Sequence, residues 1–256
     1  YGSNINHAQA DFLMLFVLDN SAQSYTEIQL NRDTMTPVNV LGTFGDSIGK
    51  SEMQLALSHT YGSGLEDSCE NTVAAVSDLL FGTRIDHYAA LSMDAIGIMN
   101  DQVGGVTVTI PVDMTMVDPA FQANATVKLN AEQAERFVRA RYYLEDSTNL
   151  ARMERQKLFI TSWKSLALER ADTDLSFALD LISDLSDYLV SDMNGNQLSD
   201  LANLLITYRD RGIVTTEGEN ITGEEDFVEF YPDQDALMAL VVDLFYEEDA
   251  DFQPQE

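Results

Sequence analysis

The run from Phe12 to Leu18 most constrains what this chain can fold into. It is apolar throughout and bounded by polar residues, Asp11 before it and Asp19-Asn20-Ser21 after it. A strand that alternates apolar and polar residues buries one face, whereas a strand apolar at every position needs cover on both. Helices have to supply that cover. Tyr25 to Leu30 alternates and carries β-branched and aromatic residues, which predicts a second strand in a hairpin with the first. Gln54 to Tyr61 and Thr72 to Phe81 read as helices, the second stopped by Gly82. A strand is predicted over Ile85 to Leu91, a helix over Met93 to Val103, and a strand over Val106 to Val112 behind Gly104-Gly105.

Asn130-Ala131-Glu132-Gln133 is a capping signature that opens a helix through about Arg139. A longer helix follows from Asn149 to Leu168. Leu175 to Val190 and Leu198 to Ile206 have helical periodicity, Phe227 to Tyr231 reads as a strand and Gln234 to Tyr246 as a last helix. The acidic tail from Glu247 onward is expected to fray. Together these elements predict the α/β class, a mixed central sheet flanked by helices on both sides, as a single domain over residues 1–256. With 256 residues, 45% of them hydrophobic, the chain can bury a sizeable core.

Charge narrows the function. The chain has 43 acidic against 14 basic residues and a formal net charge of -29. That balance excludes a broad nucleic-acid surface, which needs basic patches, and electrostatic adhesion to anionic lipid. Cys69 is the sole cysteine, so there is no intrachain disulfide and no multi-cysteine metal site. No apolar run of about 18 residues occurs. The chain opens with Tyr1-Gly2-Ser3-Asn4, so it reads as a piece whose upstream part, with any membrane anchor, is absent.

Against this acidic background the placement of the cations is informative. Arg136, Arg139, Arg141, Arg152, Arg155 and Lys157 put six of the 14 basic residues within 22 positions. Bunched arginines repel one another unless an anion or carboxylates neutralise them. Arg152, Arg155 and Gln156 stand at i, i+3 and i+4, so one helix face can present all three. Arg139 and Arg141 fall where the preceding helix should end, and in an extended chain they point the same way. A guanidinium offers a planar fork of donors suited to phosphate. The plainer alternative is a solvated face paired with Glu132, Glu135, Glu145 and Glu154. Asn31-Arg32-Asp33-Thr34 directly follows a predicted strand, a common place for site residues in α/β folds, and Asp11 could face the same end of the sheet. Nucleotide-binding loops, nucleophile elbows and zinc-helix motifs are missing, and His7, His59 and His87 are scattered.

In order along the chain these pieces resemble the LytR–CpsA–Psr family, enzymes that attach glycopolymers to the Gram-positive cell wall. Gln9-Ala10-Asp11-Phe12-Leu13 looks like the family's R-S-D-T-M, and Leu30-Asn31-Arg32-Asp33-Thr34 like its I-P-R-D-T. Leu80-Phe81-Gly82-Thr83-Arg84-Ile85-Asp86-His87-Tyr88 is similar to L-G-I-x-I-D-Y-Y, and Val103-Gly104-Gly105-Val106-Thr107-Val108 to L-G-G-V-x-V. Leu129-Asn130-Ala131-Glu132-Gln133-Ala134 parallels L-N-G-x-Q-A; Val138-Arg139-Ala140-Arg141 resembles V-R-x-R and Arg152-Met153-Glu154-Arg155-Gln156 resembles R-x-x-R-Q.

The resemblance implies a polyprenyl-pyrophosphate-linked glycan as ligand, its lipid in an apolar tunnel between the sheet and its helices. It further implies that Arg32, Arg139, Arg141 and Arg152 hold the pyrophosphate, with Arg155 and Gln156 in the same substrate-binding set. Asp11 and a further upstream aspartate would hold Mg²⁺, and Asp11 and Arg32 would be catalytic. A peptidoglycan hydroxyl would attack phosphorus at the extracellular face of the membrane, releasing the lipid phosphate. The chain departs from the pattern at Gln9, where the family has arginine, at Gln54, where lysine is usual, and at Asn149 and Ala151 in the D-x-G-R region, with Asp146 nearby. These departures leave a second expectation open, a non-catalytic binder of polyprenyl phosphate or cell-wall polymer. Transcriptional regulation, an older label for the family, conflicts with the charge.

Overall fold

A computed structural model describes residues 8–42, 46–62, 64–141, 148–223 and 227–246. Strands β1 (Leu13–Asp19) and β2 (Ser24–Leu30) form the expected hairpin, antiparallel, with Leu13 opposite Leu30 and Asp19 opposite Ser24. Asp19 Oδ1 closes its turn, accepting from Ser21 Oγ at 2.7 Å and from the Ala22 amide at 2.8 Å. The strand buried at every position is β2, while β1 is half-buried. The reason is sheet order: the central sheet runs β1-β2-β9, so β1 is an edge and only β2 has a neighbour on each side.

Several elements between and beyond these strands differ from the expected ones. β3 (Met35–Leu41) and β4 (Ser47–Gln54) make a second hairpin, so the helix expected from Gln54 shrinks to α1 (Leu57–Thr60). The next helix, α2 (Leu65–Leu79), begins earlier than its apolar pattern suggested. β5 (Ala89–Leu91), α3 (Ala95–Gln102), β6 (Thr107–Thr109) and β7 (Thr126–Lys128) follow, the two latter paired antiparallel. α4 (Ala131–Arg139) starts where the sequence placed it, because Asn130 and Gln133 complete a reciprocal capping box. α5 (Asn149–Thr173) is the longest helix among the described residues, capped by the Thr148 side chain. The helix expected from Leu175 to Val190 ends early: α6 (Phe177–Leu185) gives way to β8 (Leu189–Ser191), which pairs with β5. Then come α7 (Gly195–Thr207), β9 (Arg209–Thr215), β10 (Gly218–Thr222), β11 (Val228–Pro232) and α8 (Gln234–Phe245). The acidic tail expected to fray, residues 247–256, lies outside the described residues.

β9 joins β2 in parallel, which makes the central sheet mixed. Helices cover both of its faces. On one, Ile28 and Leu30 pack with Leu13, Leu15 and Val17 against Val76 and Leu79 of α2 and Leu237 and Val241 of α8. Each buried aliphatic side chain there stabilises the fold by about 1.5–3 kcal/mol. On the other face Tyr25, Glu27 and Gln29 meet α5: the Gln29 amide donates to the Met153 carbonyl at 3.2 Å, and Lys164 Nζ to Glu27 Oε2 at 2.5 Å. A second core joins β6, β7, α4 and α5 through Val106, Val108, Leu129, Phe137 and Phe159. α5 therefore lies between the sheet and this second core, and its first turns reach the end of β2.

Candidate functional site

The register of the first hairpin builds the site. Leu13 pairs with Leu30, so two steps beyond the ladder Asp11 stands opposite Arg32. Backbone bonds hold both in place: the Ala10 amide donates to the Ala56 carbonyl at 3.1 Å, and the Ala56 amide to the Arg32 carbonyl at 2.9 Å. Arg32 Nη1 donates to Asp11 Oδ1 and Arg32 Nη2 to Gln9 Oε1. The position at which the family pattern has another cation thus orients Arg32 through a neutral amide.

α5 adds the second arginine. Arg152, 5% exposed, donates from Nε and Nη2 to Asn149 Oδ1 at 3.1 and 2.5 Å, while its Nη1 lies 3.3 Å from Asp11 Oδ1. Asn149 is held in turn by Asn31, to whose Oδ1 it donates at 2.6 Å. The same Asn31 oxygen accepts the Asp33 amide at 3.0 Å, closing a local turn. The end of β2 is thereby pinned to the first turn of α5 through a pair of amides, neither of which carries charge. Asn31 and Asn149 had no role in the sequence reading. Their only signals were position: one precedes Arg32, the other stands where the family pattern has aspartate.

Arg139 and Arg141 enter from the end of α4, where Ala140 turns extended and sends both the same way. Together Gln9, Asp11, Arg32, Met93, Val138, Arg139, Arg141, Arg152 and Gln156 line a cleft of about 260 Å³. Six of the seven expected site residues are brought together there, along with Gln9. Arg155 is the exception. It is 1% exposed and points beneath α4, donating from Nε to the Phe137 carbonyl at 3.3 Å and from Nη2 to the Ala140 carbonyl. One helix face does carry Arg152, Arg155 and Gln156, but that face is wide enough to meet two different neighbours. Gln54 also turns away, its amide donating to the Val228 carbonyl at 2.6 Å.

The electrostatics of the cleft are unbalanced toward positive charge. Arg139 has a partner in Glu135 at 2.5 Å, half in solvent. Arg136, counted with the cluster in the sequence, pairs instead with Glu132 and Asp118. Glu145 and Asp146 lie outside the described residues. Arg141 makes no ion pair with a described residue, and Arg32 and Arg152 converge on Asp11, with Asp33 Oδ1 a second carboxylate oxygen 3.5 Å from Arg32 Nε. Burial pulls the Arg152 guanidinium below its usual range; Asp11 opposes that, and Arg32 and Arg141 add to it. Burial likewise raises Asp33, against the pull of Arg32, Arg141 and Arg152. Its Oδ2 finds no hydrogen-bond donor among the described residues. A buried cation excess of this kind is relieved by an anion with several acceptor oxygens.

Comparison with known proteins bears on the family and the fold. The family described as LytR_cpsA_psr matches residues 3–240. Biofilm regulatory protein A of Streptococcus mutans is 28% identical over 169 residues, which is 62% of this chain and 39% of that protein. The chain therefore spans well under half the length of that relative. Among solved structures, protein gbs0355 of Streptococcus agalactiae superposes with a TM-score of 0.78 at 20% identity, covering 95% of this chain and 82% of that one. TagT of B. subtilis gives 0.69 at 17% identity, covering 93% and 85%. TagT bound to LIIa-WTA gives 0.70 at 18% identity, covering 92% and 84%. At these identities the structures share the fold.

Proposed function

The chain belongs to the LytR_cpsA_psr family, and from that premise we propose that it transfers a cell-wall glycopolymer from a polyprenyl-pyrophosphate carrier to peptidoglycan, at the extracellular face of the membrane. The observation that carries the reading is the cleft in which buried Arg32 and Arg152 converge on Asp11 beside Arg139 and Arg141. Phosphoryl transfer asks little covalent chemistry of a protein. It asks for positioning and for neutralisation of negative charge spread over phosphate oxygens. In the proposed reaction a peptidoglycan hydroxyl forms a bond to the glycan-linked phosphorus, the bridging P–O bond breaks, and the lipid phosphate leaves with the electron pair. The solved relative bound to LIIa-WTA supports a cell-wall polymer as the cargo. No helix among the described residues is long and apolar enough to cross a membrane.

A second reading, a binder without turnover, is favoured by the state of Asp11. A magnesium ion needs several oxygen ligands, yet Asp11 Oδ1 is engaged by both Arg32 and Arg152. Among the described residues no group of three His, Cys, Asp or Glu side chains could hold a metal ion. The described residues do not by themselves make a magnesium site.

Release of lipid phosphate from a lipid-pyrophosphate glycan, measured with a peptidoglycan acceptor, decides between the readings. Turnover that falls by on the order of two to three decades in Arg32→Ala supports transfer. Tight binding of the lipid-linked glycan without release, with or without added magnesium, supports the binder. No binding at all removes both.

A further inference from the structure

Of the buried arginines Arg32, Arg152 and Arg155, the third does not line the cleft. It sits under the C-terminal end of α4, where the last carbonyls of a helix have no amide donors of their own. Arg155 Nε donates to the Phe137 carbonyl at 3.3 Å and Nη2 to the Ala140 carbonyl. Its neighbour Gln156 reaches the Val138 carbonyl at 3.5 Å and, with the same amide nitrogen, the Asp11 carbonyl at 3.5 Å. Phe137, Val138 and Ala140 alternate with or adjoin Arg139 and Arg141, the two arginines that leave this end of α4 for the cleft.

We infer that Arg155 is a positioning residue of the anion site: by capping the end of α4 it sets the direction in which Arg139 and Arg141 point. Three physical facts support the role. One edge of a guanidinium presents two parallel N–H donors, which match two carbonyls, while an ammonium is a point charge. Positive charge at a helix C-terminus is also stabilised by the helix dipole. Finally, Ala140 leaves the helix in an extended conformation, so nothing in α4 itself holds Arg141, and the bond from Arg155 to the Ala140 carbonyl is the tether nearest to it. The same five-residue stretch of α5 thus does two jobs. Arg152 faces the cleft, and Arg155 holds the opposing pair toward it.

The inference rests on the anion-site reading, and its test separates the two. Binding of inorganic pyrophosphate is measured by calorimetry for the wild type, Arg155→Lys, Arg152→Ala and the double variant Arg139→Ala/Arg141→Ala, and for Arg155→Lys combined with each. Arg155→Lys keeps the charge and loses the two-point grip, and should weaken binding about tenfold, the scale of one charged hydrogen bond. That loss should persist beside Arg152→Ala and shrink below about twofold beside Arg139→Ala/Arg141→Ala, because coupled residues are non-additive. A residue that merely stabilises the fold would lose the same factor in both backgrounds, and that result overturns the inference. Wild-type binding that falls in Arg152→Ala but is unchanged in Arg155→Lys overturns the inference alone. A wild type that ignores pyrophosphate removes the anion-site reading and this inference with it. Arg155→Gln, which keeps a donor without the charge, serves if the lysine variant does not fold; if neither folds, Arg155 is a determinant of the fold and the inference fails.

Discussion

The first turn of α5 and its middle hold cations in opposite states. Near its start, three arginines face two carboxylates: Arg32 and Arg152 meet at Asp11, Arg32 also pairs with Asp33, and Arg141 stands near without an ion pair to a described residue. A few turns later, Lys164 alone is held by two carboxylates, Glu27 Oε2 at 2.5 Å and Asp210 Oδ2 at 2.6 Å, and it lies over the Tyr25 ring at 5.4 Å. The first cluster lacks negative charge and the second has more than it needs. Burial costs both, but among the described residues only the second is neutralised, so it behaves as a staple between α5, β2 and β9. Charge balance, more than burial or the number of arginines, separates the candidate site from the staple.

The largest expected effect tests the staple. Lys164→Met should destabilise folding by about 3–5 kcal/mol, because it leaves the fully buried Glu27 without its cation. Denaturant unfolding measures it. A loss below about 1 kcal/mol would mean the pair behaves like a surface ion pair, and the contrast between the clusters would collapse.

Arg152→Ala should do the reverse, weakening pyrophosphate binding by about 1.5–3 kcal/mol with a smaller loss of folding stability, since repulsion with Arg32 and Arg141 is relieved. Paired calorimetry and thermal melting would show whether binding and folding separate in this way. Equal losses in both would make the arginine cluster another staple.

Smaller still is the effect expected of Asn149→Asp. A carboxylate in place of the amide would compensate Arg152 from inside the chain, and anion affinity should fall roughly tenfold or less, as an opposite charge favours the ionised guanidinium. Thermal stability should fall slightly, because a carboxylate cannot donate to Asn31 Oδ1 as the Asn149 amide does. Unchanged pyrophosphate affinity would show that the neutrality of Asn149 is unimportant.

The mildest effect is one of pH. Burial pushes Tyr25 up to about 12, and Lys164 is also raised, its hydrogen bonds to Asp210 and Glu27 outweighing the burial that opposes them. For both groups the folded state holds the proton more tightly than the unfolded chain does. Stability should therefore fall as pH rises from the ordinary tyrosine value of 10.0 toward about 12. Denaturation midpoints across that window should decline less steeply in Tyr25→Phe. A parallel decline would remove Tyr25 from the account.

The pieces legible in the sequence were those written locally. Asn130 and Gln133 announced α4 because a capping box is made within four neighbouring residues. The hairpin was legible too, and with it Asp11 at the same end of the sheet as Arg32; the register that sets the two opposite came from the structure. Elements that depend on distant partners were missed: β8 and β9 are strands because β5 and β2 meet them.

By itself, then, the sequence determined that arginines would gather in a strongly acidic chain and which short segments would carry them. Tertiary structure alone decided what each one does. Helical spacing puts Arg152, Arg155 and Gln156 on one face, but a helix face spans a wide arc. Here that arc meets Asp11 and Asn149 on one side and the carbonyls of α4 on the other. Likewise nothing local to Lys164 marks it as the neutralised cation, because Glu27 and Asp210 arrive from β2 and β9. Periodicity sets which side chains share a direction; the packing of distant segments sets what lies there to receive them.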